Sequence, residues 1–263
     1  MATPNDPDFR AQSAELARYF RRAIRDIIAE LNRLSLTDMQ RAQILAALKS
    51  ISGILAQLND DAQQWVEENV PVAARQGVID AILALGVVET VAEAEKIVKF
   101  NRANQAVIQA AIEDTQADLL AVTQNVERKV RSAVRQAAAD AMRSNMAKGV
   151  NGVKTIRGDL LENIRKKLGD AANSGIIDAA GRRWKPDVYA DMVARTKLSR
   201  VYMDATANEA VQRGALYGVI SRHGATDGCG PWEGRIVKLT PDAPGNYPLL
   251  SSLYGGAHGI FHQ

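Results

Sequence analysis

IQAAIEDTQADLLAVTQNV, residues 108 to 126, spaces Ile108, Ile112, Thr115, Leu119, Val122 and Val126 by alternating fours and threes. On an α-helix that spacing gathers all six into one stripe, a heptad-like seam that another helix has to cover. The cover can come from the same chain, as a helical hairpin, or from a second copy. Nothing nearby forces a break. From Thr90 to Lys148 there is no Pro and no Gly, and only Phe100-Asn101 suggests a bend.

Toward the N-terminus the same period recurs. Between Phe9 and Leu34, residues Leu16, Phe20, Ile24, Ile27 and Leu31 predict one amphipathic helix. Leu34-Ser35-Leu36-Thr37 ends it, and Ser35 or Thr37 can cap a second helix with the stripe Ile44, Leu48, Ile51, Leu55 and Leu58. Asn59-Asp60-Asp61 is expected to end or bend that helix. A segment around Trp65 follows, then Pro71 as the opening of another helix to about Leu85, stopped by Gly86.

Past Val126 the seam weakens to alanines, while Arg128, Arg131 and Arg135 share an opposite surface. Gly149 and Gly152 punctuate the chain before a helix from Thr155 to Leu168. Its Arg165-Lys166-Lys167 either complements the helix dipole or contacts DNA. GIIDAAGRRW, Gly175 to Trp184, reads as a β-hairpin turning at Gly181. Pro186 opens a helix to about Arg213, with Val188, Met192, Arg195, Ser199 and Tyr202 on a shared side and Gly214 as its stop. The remainder is strand-like and turn-rich, with strands at Leu216 to Ser221 and Arg235 to Leu239. The fold class is α+β: a mainly α-helical arm with long helices over 1–173, then a small α+β module over 174–263.

Composition narrows the function classes. The chain has 263 residues, 46% of them apolar and 24% charged. No run of about twenty apolar residues would span a bilayer, and MATPNDPDFR has no basic start followed by an apolar run, so no secretory leader is expected. A single Cys excludes an intrachain disulfide and suits synthesis in a reducing cytoplasm. The net charge of +3 hides a strong division. Residues 1–127 carry 12 Lys and Arg against 18 Asp and Glu, whereas residues 128–200 carry 17 against 7. A basic middle of this kind attracts polyanions whatever the rest of the chain does.

Cys229 and all three histidines, His223, His258 and His262, fall in the last part of the chain, as scarce zinc ligands would. The spacing lacks a Cys-x2-Cys or His-x3-His half-site on a helix, so neither a metal nor any other cofactor is expected. Cys229 has no readable oxyanion arrangement, and Asp227 and Glu233 make no acid/base pair. The chain is therefore expected not to be an enzyme.

The last third carries a family likeness. The hairpin SGIIDAAGRRW, the helix DVYADMVARTKLSRVYMDATANEAVQRGA, LYGVISRHGATDGCGPWEGRIVKL and NYPLLSSLYGGAHGIFH follow in order. Over about 174–262 the chain resembles tailed-phage minor capsid proteins, the minor capsid protein 2 group related to the phage Mu F-like head morphogenesis proteins. The family's Tyr-x-x-Met-x-x-Arg-Thr helix element falls on Tyr189, Met192, Arg195 and Thr196. Its glycines and Gly-Arg-x-Val strand fall on Gly214, Gly234, Arg235, Val237 and Gly259. Where the family continues into an Asn-Cys-Arg-His-like ending, this sequence has His262-Gln263.

The resemblance implies a virion protein inside the head near the portal, made in the bacterial host cytoplasm. Its partners would be the portal protein and other head proteins, with a role in DNA packaging or ejection. The residues themselves add two expectations. The basic stretch suits double-stranded DNA without sequence preference, with Arg128, Arg131, Arg135, Arg165, Lys166 and Lys167 as contacts. The seams suit self-association or a helical partner. Two alternatives stay open: a protein whose main task is non-specific DNA binding, and a phage-derived carrier of a toxin or enzyme module.

Overall fold

The computed structural model describes residues 7–36, 40–151, 158–174, 176–177, 181–222, 224, 226 and 230–253. Among them the chain forms α1 (Arg10–Asn32), α2 (Arg41–Ala84), α3 (Val91–Ile97), α4 (Arg102–Asn151), α5 (Gly158–Asn173) and α6 (Pro186–Gln212). Strands β1 (Tyr217–Val219) and β2 (Ile236–Lys238) and the short α7 (Leu250–Leu253) follow. The mainly helical fold with a small α+β end is as the sequence predicts.

The chain divides into two compact units. The first comprises Asp8–Glu68 and Ile112–Arg195, the second Met1–Pro7, Asn69–Ala111 and Thr196–Gln263. Helices α2, α4 and α6 each contribute to both. Neither unit coincides with the 1–173 and 174–263 segments, for each unit draws on both of them.

In the first unit the apolar stripe of α1 is buried at every predicted position: Leu16, Phe20, Ile24, Ile27 and Leu31. The seam of α4 is covered from within the chain. Ser52, Asn59 and Glu67 of α2 meet Glu127, Thr123 and Gln116 of α4 in reverse order, so the two helices run antiparallel. Thr115, Leu119, Val122 and Val126 are buried, and burial continues through Val130 and Val134, further than the alanine-rich sequence suggested. The hairpin reading therefore holds for this stretch, while Ile108 and Ile112 at the start of the seam are half-buried.

The expected stop at Asn59-Asp60-Asp61 is absent, and α2 runs through it. Polar side chains that could have broken the helix are used across it instead. Asn59 accepts from the Thr123 hydroxyl at 2.7 Å, while Asp61 accepts from Gln57 at 2.8 Å and pairs with Arg22 at 3.4 Å. Pro71 likewise sits inside α2 rather than at a helix start. It removes one N–H from the ladder, at a cost of about 3 kcal/mol. Burial of Val70, Ala73, Ala74 and Val78 on the same helix offsets that loss.

The bend foreseen at Phe100-Asn101 is a true break: α3 ends at Ile97, and Asn101 caps α4 by accepting the Asn104 N–H at 2.7 Å. Thr90 and Glu93 form a capping box at the start of α3, a pairing legible as Thr-x-x-Glu. Gly86, at φ +65°, ends the α2 turn as expected.

In the second unit α2 and α6 cross at Gly77. A Cβ there would lie 2.3 Å from the Tyr202 carbonyl oxygen, so the two backbones approach as only glycine permits. Around that point the Tyr202 hydroxyl donates to Asp80 at 2.7 Å, and Thr206 Oγ1 lies 3.1 Å from the Gly77 carbonyl. The sheet is antiparallel, with Tyr217 opposite Lys238 and Val219 opposite Ile236. Val237 is its buried residue, and the outer edge of β2 is closed where the Lys238 N–H donates to the Pro248 carbonyl at 2.8 Å.

Candidate functional site

The cations singled out from sequence lie on two helices of the first unit. Arg128 and Arg135 stand exposed on α4. Arg128 also donates to the Asn125 side chain at 3.0 Å, whereas Arg131 turns toward α2, pairing with Glu127 at 2.7 Å and donating to Ser52 at 2.9 Å. The Arg131 guanidinium, and after it the Ser52 hydroxyl, holds the Glu127 carboxyl below its ordinary range.

The Arg165-Lys166-Lys167 run sits within α5, which extends to Asn173 rather than ending near Leu168. Capping of its own helix is thus ruled out by position. Arg165 instead donates to the Asn32 carbonyl at 3.2 Å, at the C-terminal end of α1, against which α5 packs. Lys166 and Lys167 are exposed.

The structure gathers a different set of cations. Lys129 of α4, with Arg183 and Lys185 from the chain just before α6, lines a groove of about 450 Å³. The opposite wall is the end of α5, Asp170 and Asn173, with Ser174 beyond it. The β-hairpin expected at 175–184 survives there as one antiparallel bridge, Ile177 with Arg183, and a bond from the Trp184 N–H to the Ile176 carbonyl at 2.9 Å. Gly181 takes the positive φ, +78°, that the turn reading required of it.

Trp184 also lines the groove and is braced on two sides. The Arg182 guanidinium lies 5.4 Å from its ring centre, and Tyr189 meets it edge-on at 6.5 Å. Lys129 donates to the Ser174 carbonyl at 3.3 Å. Burial first, and then the charges of Arg183 and Arg128, push the Lys129 ammonium below its ordinary pKa. Among the described lining residues one carboxylate, Asp170, opposes three cations. Sequence reasoning missed Lys129, Arg183 and Lys185 as a set because Lys129 is far from the other two in the chain.

The positions that carried the family likeness serve structural ends. Arg195 pairs with Asp191 at 2.9 Å on the exposed side of α6. The side expected to be shared from Val188 to Tyr202 is mixed: Val188 and Arg195 are exposed, Ser199 is half-buried and Tyr202 is buried, while most of the buried face is carried by Ala190, Val193, Ala194, Leu198, Val201 and Ala205. Met192 and Thr196 are half-buried. Gly214 and Gly234 both adopt positive φ, and the Arg222 guanidinium covers Gly234 so closely that a Cβ would meet it at 2.5 Å. Arg235 lies over the Trp232 ring at 5.1 Å.

A comparison with family models settles what this module belongs to. The model of phage minor capsid protein 2 matches residues 12–262. The chain belongs to the phage minor capsid protein 2 family. Membership extends through the helical part, which carried no recognised likeness in the sequence. This is a structural, mainly helical protein of a bacteriophage head, and its place is the virion. Neither the curated proteins nor the solved structures give a match to it.

In this capsid protein, no group of three His, Cys, Asp or Glu among the described residues could hold a metal. His223, Asp227, Cys229, His258, Gly259 and His262 lie outside the described residues. No helix among the described residues is long and apolar enough to cross a membrane.

Proposed function

We propose that this minor capsid protein acts at the portal inside the head, joining head proteins through an apolar corner and packaged double-stranded DNA through its basic surface. The observation that carries the reading is that each unit exposes a surface of its own kind. In the second unit Leu85, Val87, Val91 and Ile97, at the end of α2 and along α3, are each 40% exposed or more, a concentration of aliphatic surface suited to a protein partner. In the first unit Arg128, Arg135, Lys166 and Lys167 are exposed. Their charges suit phosphate contacts that ignore base sequence.

The chain acts in this reading as a non-enzymatic assembly protein. The test is size-exclusion chromatography with light scattering of the full chain mixed with the portal protein of the same phage, at low and high salt. A defined complex that persists at high salt, and that Val87→Glu with Val91→Glu removes while helicity is kept, is the expected result. Separate elution at both salts, with DNA bound at low salt alone, would overturn the portal part.

A further inference from the structure

We propose that the free edge of β1 pairs with the β1 edge of a second copy of this chain, antiparallel about a two-fold axis at Gly218, to make one four-stranded sheet. The inference goes beyond the portal and DNA readings above and depends on neither.

The edge follows from the backbone. The Leu239 N–H donates to the Leu216 carbonyl at 2.9 Å and the Ile220 N–H to the Arg235 carbonyl at 3.0 Å, while Gly218 stands opposite Val237. Residues 216, 218 and 220 therefore aim their backbone groups at β2. By the alternation of an antiparallel ladder, those of Tyr217 and Val219 aim away from it. Among the described residues neither of the two makes a backbone hydrogen bond on that outward side. The opposite edge of the sheet is treated differently. There the Lys238 N–H donates to the Pro248 carbonyl and Lys238 bridges to Leu249, so β2 is closed. The β1 edge is open to solvent, with Val219 68% exposed and Tyr217 37%.

N–H and C=O groups presented at every second residue fit an extended strand, and three features make a second copy that strand. The first is register. Setting Tyr217 against Val219 of the second copy, and Val219 against Tyr217 of the second copy, pairs every outward group of both edges about one two-fold axis. The second is side-chain fit. That register twice places an aromatic ring beside a β-branched side chain, on the face where Ile236 is also exposed, and lets the closest backbone approach fall on Gly218. Tyr217 is held for the contact already, its hydroxyl donating to the Pro244 carbonyl at 2.5 Å and its ring edge-on to Tyr247 at 5.7 Å. The third is charge. From Gly214 to Ser221 there is no charged residue and no Pro, the usual devices that keep two edges apart, so two copies meet without repulsion along the strand.

Area sets the strength. Strands of three residues pair over roughly a few hundred Å², well under the about 1,200 Å² of a stable dimer. The association is therefore weak and appears as copies are concentrated. What each copy gains is a larger sheet, since two strands this short are marginal by themselves and four are not.

The test is size-exclusion chromatography with light scattering of the full chain over about a hundredfold range of concentration, in high salt so that DNA does not bridge copies. The mass should rise from one chain toward two. Val219→Lys, which leaves the backbone intact and puts a charge on an exposed site, should raise the concentration of half-dimerisation by about tenfold or more. Val87→Glu with Val91→Glu, at the apolar corner, should leave it where it is, and circular dichroism checks that each variant is folded. Register is tested separately by Gly218→Cys in a Cys229→Ser background. Mild oxidation should link the two substituted positions, which face each other across the axis at disulfide distance.

A parent that stays monomeric at every concentration overturns the second copy as occupant, and leaves the portal reading untouched. Dimerisation that Val87→Glu with Val91→Glu abolishes and Val219→Lys does not would assign the contact to the corner and overturn the proposal. A dimer whose substituted positions fail to cross-link would overturn the pairing about Gly218.

Discussion

Helix α2 has two interior glycines, one in each unit, and their surroundings differ completely. Gly53, in the first unit, is exposed, with nothing within 4 Å of where a Cβ would stand. Gly77, in the second, faces the Tyr202 backbone at a distance no side chain could occupy. The first unit joins its helices by filled space and polar side chains, with Phe20 and Ile27 buried and Ser52, Asn59 and Glu67 bonded across to α4. At the Gly77 crossing the second unit instead joins two helices by leaving a side chain out. Identical residues in one helix therefore have opposite meanings, and only the neighbour across the contact distinguishes them.

The largest expected effect tests the filled unit. Phe20→Ala removes a ring that is 1% exposed and should cost about 3–5 kcal/mol, read from urea midpoints. A loss below about 1 kcal/mol would mean that the α1 core is loosely packed. Next comes the glycine pair itself. Gly77→Ala forces backbone or helix displacement and should destabilise by about 1–3 kcal/mol. Gly53→Ala, relieved of glycine's entropy cost, should stabilise by about 0.5–1 kcal/mol. Two effects of the same sign would break the comparison.

Tyr202→Phe sharpens it further by deleting the hydroxyl that donates to Asp80 beside the Gly77 crossing. The expected cost is about 1 kcal/mol, with helicity unchanged. The smallest effect is on pH dependence in the first unit. Because the folded Glu127 carboxyl is held below its ordinary 4.5, its contribution is present above that pH and is lost as pH falls through the lowered folded value. Glu127→Gln should therefore lower stability at pH 7 and lessen the further loss between about pH 5 and 3. An unchanged acid limb in the variant's denaturation midpoints would show that the Arg131 and Ser52 contacts contribute nothing.

Much of the fold was legible where the signal is local. The spacing in α1 named five core residues, and all five are buried. Pro186 and Gly214 bracket α6, Gly86 ends α2, and the break before α4 falls at Phe100-Asn101. The same local logic failed at Asn59-Asp60-Asp61 and at Pro71. Residues that disfavour a helix in isolation are retained inside α2 because their side chains bond across to other helices, or because burial along the helix outweighs one missing N–H. Of the candidate cations, Arg128, Arg135, Arg165, Lys166 and Lys167 are exposed, and Arg131 and Arg165 make contacts to other helices that a count of charges cannot foresee.

By itself the sequence determined which faces are apolar, where most helices begin and end, that the middle of the chain is basic, and to which phage protein group its last third is similar. Each of those follows from the period of a helix, from the backbone limits of Pro and Gly, or from the order of short motifs. The tertiary structure decided what covers each face. It placed α2 over the α4 seam, required glycine at residue 77 but not at residue 53, and brought Lys129 beside Arg183 and Lys185. These pairings join residues distant in the chain, and their energies depend on separations of a few ångströms that no spacing along the chain records.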